Sequence, residues 1–321
     1  MLGRIVEVAD NHRHLSLYRG FLVVQTTSSG WPELGRVPLD DIAAVLAHAN
    51  GLSYTNNLLV ALAERGVPFV LCGANHQPAG VLWPLDGQHE QARRMEAQMA
   101  ASQPTHKRLW ASVVRAKLLQ QAATLAAVGA NHAALVALAG KVRSGDPDNL
   151  EAQGARRYWG LLFGPAFRRD TEATGLNSLL NYGYTVYRSA TARAVVAAGL
   201  HPAIGLHHSN DGNPMRLVDD LIEPFRPLVD VAVWRWWQQH GNAEVTPQSK
   251  RELVHTLYQD MPTPQGNTPV SVCMQRLATS LAQVLLGQRD RLDLPLVQQP
   301  RERKRNDRLI RISADVDDGD V

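Results

Sequence analysis

Cysteine is almost absent: the 321 residues hold two, Cys72 and Cys273, each in apolar company. Two cysteines so far apart make no disulfide framework, and without a CxxC pair they build no structural zinc site. Long hydrophobic runs are missing as well. Hydrophobic residues make up 45% of the chain, enough for a sizeable core, yet no apolar stretch approaches the ~18 residues of a membrane span. The opening "MLGRIVEVAD" lacks the hydrophobic region of a signal peptide, so the expectation is a cytoplasmic protein with no membrane attachment. Several catalytic signatures are absent too. There is no GxxxxGK[ST] loop, no G-x-S-x-G elbow and no His-Asp dipeptide, and "HEQAR" fails as HExxH because it ends in Arg93. Hydrolysis by a P-loop, zincin proteolysis and HD-type phosphohydrolysis are therefore unsupported.

Charge of one sign is also in short supply, since the formal net charge is only +3. Its distribution is uneven. The segment "RERKRNDRLIR" at 301–311 is basic, and "ISADVDDGDV" at 312–321 carries four aspartates and no base. Such a tail buries too little apolar surface to offset chain entropy, so a disordered segment is expected over 297–321. It is either solvated or an electrostatic contact to nucleic acid.

What is present divides the chain in two. "GRIVEVAD" and "HLSLYRGFLVVQTT" alternate β-branched and polar residues between the turn-like "NHRH" and "RG". "RVPLDDIAAVLAHA" reads as a further strand, "YTNNLLVALAERG" as a short helix, and "VPFVLCGANHQPAGVLWPLDG" as strands around a turn. From about residue 90 the period becomes helical, with helices expected in "EQARRMEAQMAASQ" (90–103), "THKRLWASVVRAKLLQQAATLAAVG" (105–129) and "HAALVALAGKVRSG" (132–145) and at 150–163, 176–198, 217–240 and 269–287, and a loop at 261–268. The expected class is α+β: a small β-rich N-terminal domain over 1–85 and a larger all-α domain over 90–296.

Candidate chemistry gathers in "GLHHSNDGNPMRLVDDLIEPFRP", residues 205–227. Asp220 and Glu223 are three apart and Asp219 and Glu223 four apart, so either pair shares a helix face. His207 and His208 lie about a dozen residues upstream, and adjacent side chains diverge, so one of the two faces the acids. Carboxylates with one imidazole suit Mg2+ or Mn2+ more than structural zinc. The bland alternative is a helix start enriched in acids for dipole reasons. Glu151 follows "DPDN", with Asn149 as N-cap, on the packed side of the helix that bears Tyr158, Trp159 and Leu162; it too has a dipole explanation. The tryptophans of "VWRWWQQH" could stack bases, but at helical spacing they more often fill a core.

These pieces together resemble the CRISPR-associated integrase family, the Cas-one proteins of spacer acquisition. "IGLHH", followed fifteen residues after His208 by the glutamate of "DDLIEPFRP", is similar to the family's signature. "DPDNLEAQGARRYWGLLFG", "GLNSLLNYGYTVYRSATARAVVAAGLHPAIG" and "CGANHQPAGVLWP" match three further family stretches in order, over about residues 1–290. The wording resembles the branch found beside Cas9-type effectors. Carried over by position, the resemblance implies metal ligands at Glu151, His208 and Glu223, which are also the catalytic set, with Asp220 as a supporting or alternate ligand. His208 is chosen over His207 because Gly205 stands three residues before it; His207 replaces an apolar residue usual in the family.

The implied activity is that of a divalent-metal-dependent endonuclease and integrase of a prokaryotic antiviral system. It inserts prespacer DNA into a CRISPR repeat by attack of a DNA 3′-hydroxyl on a phosphodiester. The implied partners are double-stranded DNA, a second copy of the chain, the small Cas-two subunit in a four-to-two complex, and the Cas9-type effector. Two rivals remain open: a metal-dependent, structure-selective DNA nuclease without a CRISPR role, and a non-catalytic DNA-binding scaffold.

Overall fold

Local chemistry explains most of the elements. The computed structural model describes residues 4–47, 49–73, 78–82, 90–264, 266–296 and 309–311. The chain divides into two compact units, the first ending at residue 89 and the second beginning at Glu90, with the strand Leu309–Arg311 in the first.

The first unit holds β1 (Arg4–Val8), β2 (Arg13–Tyr18), β3 (Phe21–Thr26), β4 (Glu33–Pro38), β5 (Ile42–Ala47), β6 (Ser53–Tyr54), α1 (Asn56–Glu64), β7 (Phe69–Cys72) and β8 (Pro78–Leu82). One sheet has the order β4-β3-β2-β6 and is antiparallel except where β6 joins β2. Its first hairpin turns on Arg19 and Gly20, both at positive φ (48° and 81°), the pairing of a two-residue turn that matches strand twist. The other sheet runs β1-β5-β7-β8, with β1, β5 and β7 parallel and β8 antiparallel. Inward residues of both sheets, among them Leu15, Leu22, Val37, Val45 and Phe69, form one core with Leu58 and Leu62 of α1.

One expectation needs correction here, and another falls mostly outside the described residues. "RVPLDDIAAVLAHA" is not one strand: a 3-10 turn at Leu39–Asp41 separates β4 from β5, and the two strands belong to different sheets. Pro38 ends the first ladder because it has no N–H to donate. The disordered segment expected over 297–321 lies outside the described residues, except at Leu309–Arg311. There the chain pairs in parallel with β1, Ile5 opposite Leu309 and Glu7 opposite Arg311. Leu309 and Ile310 are the apolar residues of a charged stretch, and β1 is an edge with backbone groups to satisfy.

The second unit comprises α2 (Gln91–Met99), α3 (Gln103–Ala127), α4 (Ala133–Lys141), α5 (Leu150–Phe163), α6 (Leu176–Ala197), α7 (Arg216–Ile222), α8 (Arg226–His240), α9 (Pro247–His255), β9 (Asp260–Thr263), β10 (Gly266–Pro269) and α10 (Val270–Leu285). The two long helices organise it. α3 packs against α4, α5, α7 and α8, and α6 packs against α7, α8, α9 and α10. The unit is helical as expected, with two differences, of which the first is that the stretch read as a loop at 261–268 forms the antiparallel hairpin β9–β10. A two-stranded ribbon has only edges, so its Pro262 and Pro269 cost no ladder bond that a central strand would need. The expected helix over 217–240 is also two helices. Pro224 and Pro227 lack the N–H groups that would bond back across the junction, and the helix breaks at 223–225.

Candidate functional site

Lys117 stands between the two glutamates singled out in the sequence. Its ammonium lies 2.6 Å from Oε1 of Glu151 and is also in contact with Oε2 of Glu223. Arg226 Nε donates to Oε1 of Glu223 at 2.8 Å. Two carboxylates and two cations thus form one neutral cluster, drawn from α3, α5, the end of α7 and the start of α8.

Each arm of the cluster has a local reason. Glu151 sits in the first turn of α5, whose start is held three ways. Asn149, left-handed at φ 50°, accepts from the N–H of Ala152, and the carboxylate of Asp146 accepts from the N–H groups of Leu150 (2.9 Å) and Glu151 (3.0 Å). Gly154, one turn on, lets α3 and α5 touch. A Cβ there would come within 2.2 Å of a Leu118 methyl, the residue next to Lys117. Glu223 is the C-cap of α7, still in helical conformation, so the break before α8 turns its side chain toward both cations.

Burial sets the electrostatics. Glu223 is 5% exposed. Burial alone would raise its pKa, but the charges of Arg226 and then Lys117 outweigh it and hold the carboxyl down at about 2. Lys117 mirrors this: burial would lower its pKa, and Glu223 and Glu151 more than offset that, so it stays above the ordinary lysine value. Arg226 is fixed further by lying over the Tyr184 ring, 4.7 Å from its centroid.

Asp220 faces the other way, into the loop that carries the histidines. It is fully buried and accepts from the backbone N–H groups of Leu206 (2.6 Å), His207 (3.1 Å) and His208 (3.3 Å), and from Nδ1 of His208 at 2.6 Å. Gly205 is needed for that approach, because a Cβ there would lie 2.9 Å from Oδ2 of Asp220. The His208 pKa is raised, first by the bond to Asp220, against burial and with help from the charges of Asp220, Glu223 and Asp219. A carboxylate only accepts, so in the neutral ring Nδ1 carries the proton and Nε2 is left as the donor atom to a ligand. His207 diverges as expected and stacks flat on Trp110, with centroids 4.4 Å apart. Asp219 is taken by Arg188, at 2.7 and 2.9 Å, and by Asn213.

Behind the cluster lies a second buried acid. Asp230 accepts from the hydroxyls of Tyr158 (2.8 Å) and Tyr184. Burial pushes its carboxyl up, the two hydroxyls and the charges of Arg226 and Lys117 pull it part of the way back, and it stands at about 7. Trp236 is buried and stacks on His240, and Trp237 touches Phe163, so the "VWRWWQQH" tryptophans described in this way pack within the protein.

The structure therefore brings Glu151 and Glu223 together and sets His208 on Asp220. It does not close all three into one group: among the described residues, no three His, Cys, Asp or Glu side chains stand in metal-holding geometry. Lys117 and Arg226 were missed in the sequence. The available signal was a lone lysine in the apolar run "WASVVRAKLLQQAATL", which placed its charge on a buried face.

The family model described as "CRISPR associated protein Cas1" matches residues 6–246. The chain belongs to the Cas1 family. It is 40% identical over 252 residues to the CRISPR-associated endonuclease Cas1 of Neisseria meningitidis serogroup C, covering 78% of this chain and 81% of that protein. Among solved structures, a casposase bound to integration product aligns with a TM-score of 0.76 at 18% identity, covering 91% of this chain and 93% of that one. A Cas6-RT-Cas1–Cas2 complex aligns at 0.70 and 16%, over 89% of this chain and 35% of that one. At those identities the likeness is of fold, and the Cas1 fold here is the β-rich unit followed by the helical unit that carries the cluster. None of its described helices is long and apolar enough to cross a membrane.

Proposed function

We propose that this Cas1-family chain is a divalent-metal-dependent DNA integrase and endonuclease, joining the 3′-hydroxyl of prespacer DNA to a CRISPR repeat by transesterification. The observation that carries the reading is the convergence of Glu151 and Glu223, 72 residues apart in sequence, on one buried cation position, with a histidine anchored through Nδ1 on the loop that precedes α7.

The chemistry of the donor set, rather than a closed geometry, suits a Mg2+ or Mn2+ ion. Two carboxylates already share a cation, and the unanchored Nε2 of His208 adds a nitrogen donor. Glu151, Glu223 and His208 would hold the ion, which supplies a lowered hydroxyl pKa and stabilised phosphorane charge. The chain's own residues do the rest. Asp220 fixes the ring of His208. Arg226, held over Tyr184, keeps Glu223 ionised and aimed. The caps from Asp146 and Asn149 fix the turn that presents Glu151. No side chain is needed as a covalent nucleophile in such a transfer.

The proposed partners are double-stranded DNA, a second copy of the chain, a Cas2-type subunit and a Cas9-type effector. The casposase neighbour holds an integration product and the other neighbour is a complex with Cas2, which supports the first and third. The test is integration of a short duplex into a supercoiled plasmid carrying a repeat, with and without the Cas2-type subunit. Strand-transfer products that require metal and vanish in Glu223→Gln are expected. Products unaffected by a chelator and by that substitution would overturn the reading; metal-dependent nicking with no strand transfer would leave a nuclease.

A further inference from the structure

We infer that the Lys117 ammonium is the site's resident counter-cation: it holds Glu151 and Glu223 together in the metal-free protein, and it must leave when the ion enters. This rests on the reading of the two glutamates as ligands.

Charge comes first. Glu223 is nearly buried and Glu151 half-buried, and two such carboxylates facing one position repel unless a cation lies between them. Lys117, itself 8% exposed and in contact with both, supplies one positive charge, and Arg226 supplies the second. The cluster is already neutral. A divalent ion added to it unchanged would leave two positive charges in excess in a desolvated place, and the departure of one resident cation halves that excess.

Geometry selects which one. Arg226 is held twice, by Oε1 of Glu223 and by the face of Tyr184. Its planar fork is committed, and its contact is with the glutamate oxygen that Lys117 does not touch. Among the described residues Lys117 pairs with Glu151 and Glu223 alone, and its ammonium sits on a four-carbon stem that swings easily. It also occupies the position shared by the two carboxylates, the position the ion requires. A new partner is near at hand: Gln121, one turn on along the same face of α3, has a buried Oε1 with no hydrogen-bond partner. Lys117 is thus a positioning residue. It keeps the acids ionised and correctly placed before the ion arrives, and it weakens the ion's binding by having to be displaced.

The experiment titrates the metal-free full-length chain with Mn2+ by calorimetry, together with Lys117→Met, Lys117→Gln, Lys117→Arg, Glu151→Gln and Glu223→Gln. Without a unit charge a few ångströms from the ion, Lys117→Met and Lys117→Gln should bind Mn2+ about tenfold tighter or more. They should also melt lower than wild type without metal and gain more on adding it, and Lys117→Arg should restore the weaker binding. Folded Lys117→Met or Lys117→Gln with unchanged or weaker affinity would overturn the inference. If both neutral variants fail to fold, 15N NMR of the lysine ammonium groups in the wild-type chain decides. The buried Lys117 signal should shift or vanish at saturating Mg2+, and an unmoved signal would overturn it. The glutamate variants separate the two readings: loss of Mn2+ binding in both, with no effect of Lys117, would leave the ligands standing and remove the counter-cation role. Wild-type affinity in both would remove the ligands and the inference with them.

Discussion

Nδ1 of His208 stands 2.6 Å from Oδ1 of Asp220, and the same carboxylate takes the backbone N–H groups of three successive residues ending at His208. One buried acid therefore fixes both the ring and the loop that carries it. Asp220→Asn keeps the shape, but its amide has one acceptor oxygen and would present a donor to N–H groups. Loss of such a ligand-orienting carboxylate typically costs about 10- to 100-fold in metal affinity. That range is expected in a Mn2+ titration, and wild-type affinity in a folded Asp220→Asn would show that the anchoring has no bearing on the ligand.

The two histidines should separate by function. His208→Ala should lose metal-dependent cleavage and integration. His207→Ala should keep most of both and lose stability, since stacking on Trp110 is worth about 1 kcal/mol beyond area burial. Activity assays beside thermal melts on both variants check this. An inactive, stable His207→Ala with an active His208→Ala would reverse the assignment.

Gly154 bears on the site through packing. Gly154→Ala drives a methyl into Leu118, which either separates α3 from α5 or strains the core, at a cost of about 1–3 kcal/mol. Lys117 and Glu151 lie on the two helices being separated, so activity should fall with stability. Adding Leu118→Ala vacates the clash, and the double variant should recover activity relative to Gly154→Ala. Equal activity in all three proteins would remove the close approach from the account of the site.

Two buried acids pull stability in opposite directions with pH. Glu223, depressed to about 2 from 4.5, contributes stability that is fully present above about 4.5 and is lost as pH falls toward 2. Asp230, raised to about 7 from 3.8, holds a proton in the folded chain that the unfolded chain has shed. Its contribution is fully present below 3.8 and is lost as pH rises to about 7. At about 1.4 kcal/mol per pKa unit, that loss is on the order of 4 kcal/mol at most. Denaturant midpoints between pH 4 and 8 should fall more steeply for wild type than for Asp230→Asn, whose residue does not titrate. Parallel profiles would place the Asp230 pKa near its ordinary value.

Local structure was legible in the sequence because it is made by neighbours. The boundaries of α5 at 150 and 163 follow from an Asn cap and a terminal Gly164, the first hairpin from Arg-Gly, and the divergence of His207 from His208 from their adjacency. The likeness of four ordered motifs then pointed to Glu151, His208 and Glu223. The break at 223–225 was written in Pro224 and Pro227 but was lost under the continuous apolar pattern of "LVDDLIEPFRPLVDVAVW". The hairpin β9–β10 was hidden by its prolines, which signal loops more often than short ribbons.

What the sequence alone determined was thus which acids and imidazole the chain possesses, on which local element each lies, and that the chain has a β-rich part and a helical part. Tertiary structure alone decided who faces whom. Periodicity assigns Lys117 to a face of α3 but names no partner for that face, and only the packing of α3 against α5 and α7 puts its ammonium between Glu151 and Glu223. In the same way Asp220, Asp219 and Glu223 share one short stretch of sequence but turn to His208, Arg188 and Lys117 in space. A carboxylate's role is set by the charge it meets after burial, and that charge comes from residues that are distant along the chain.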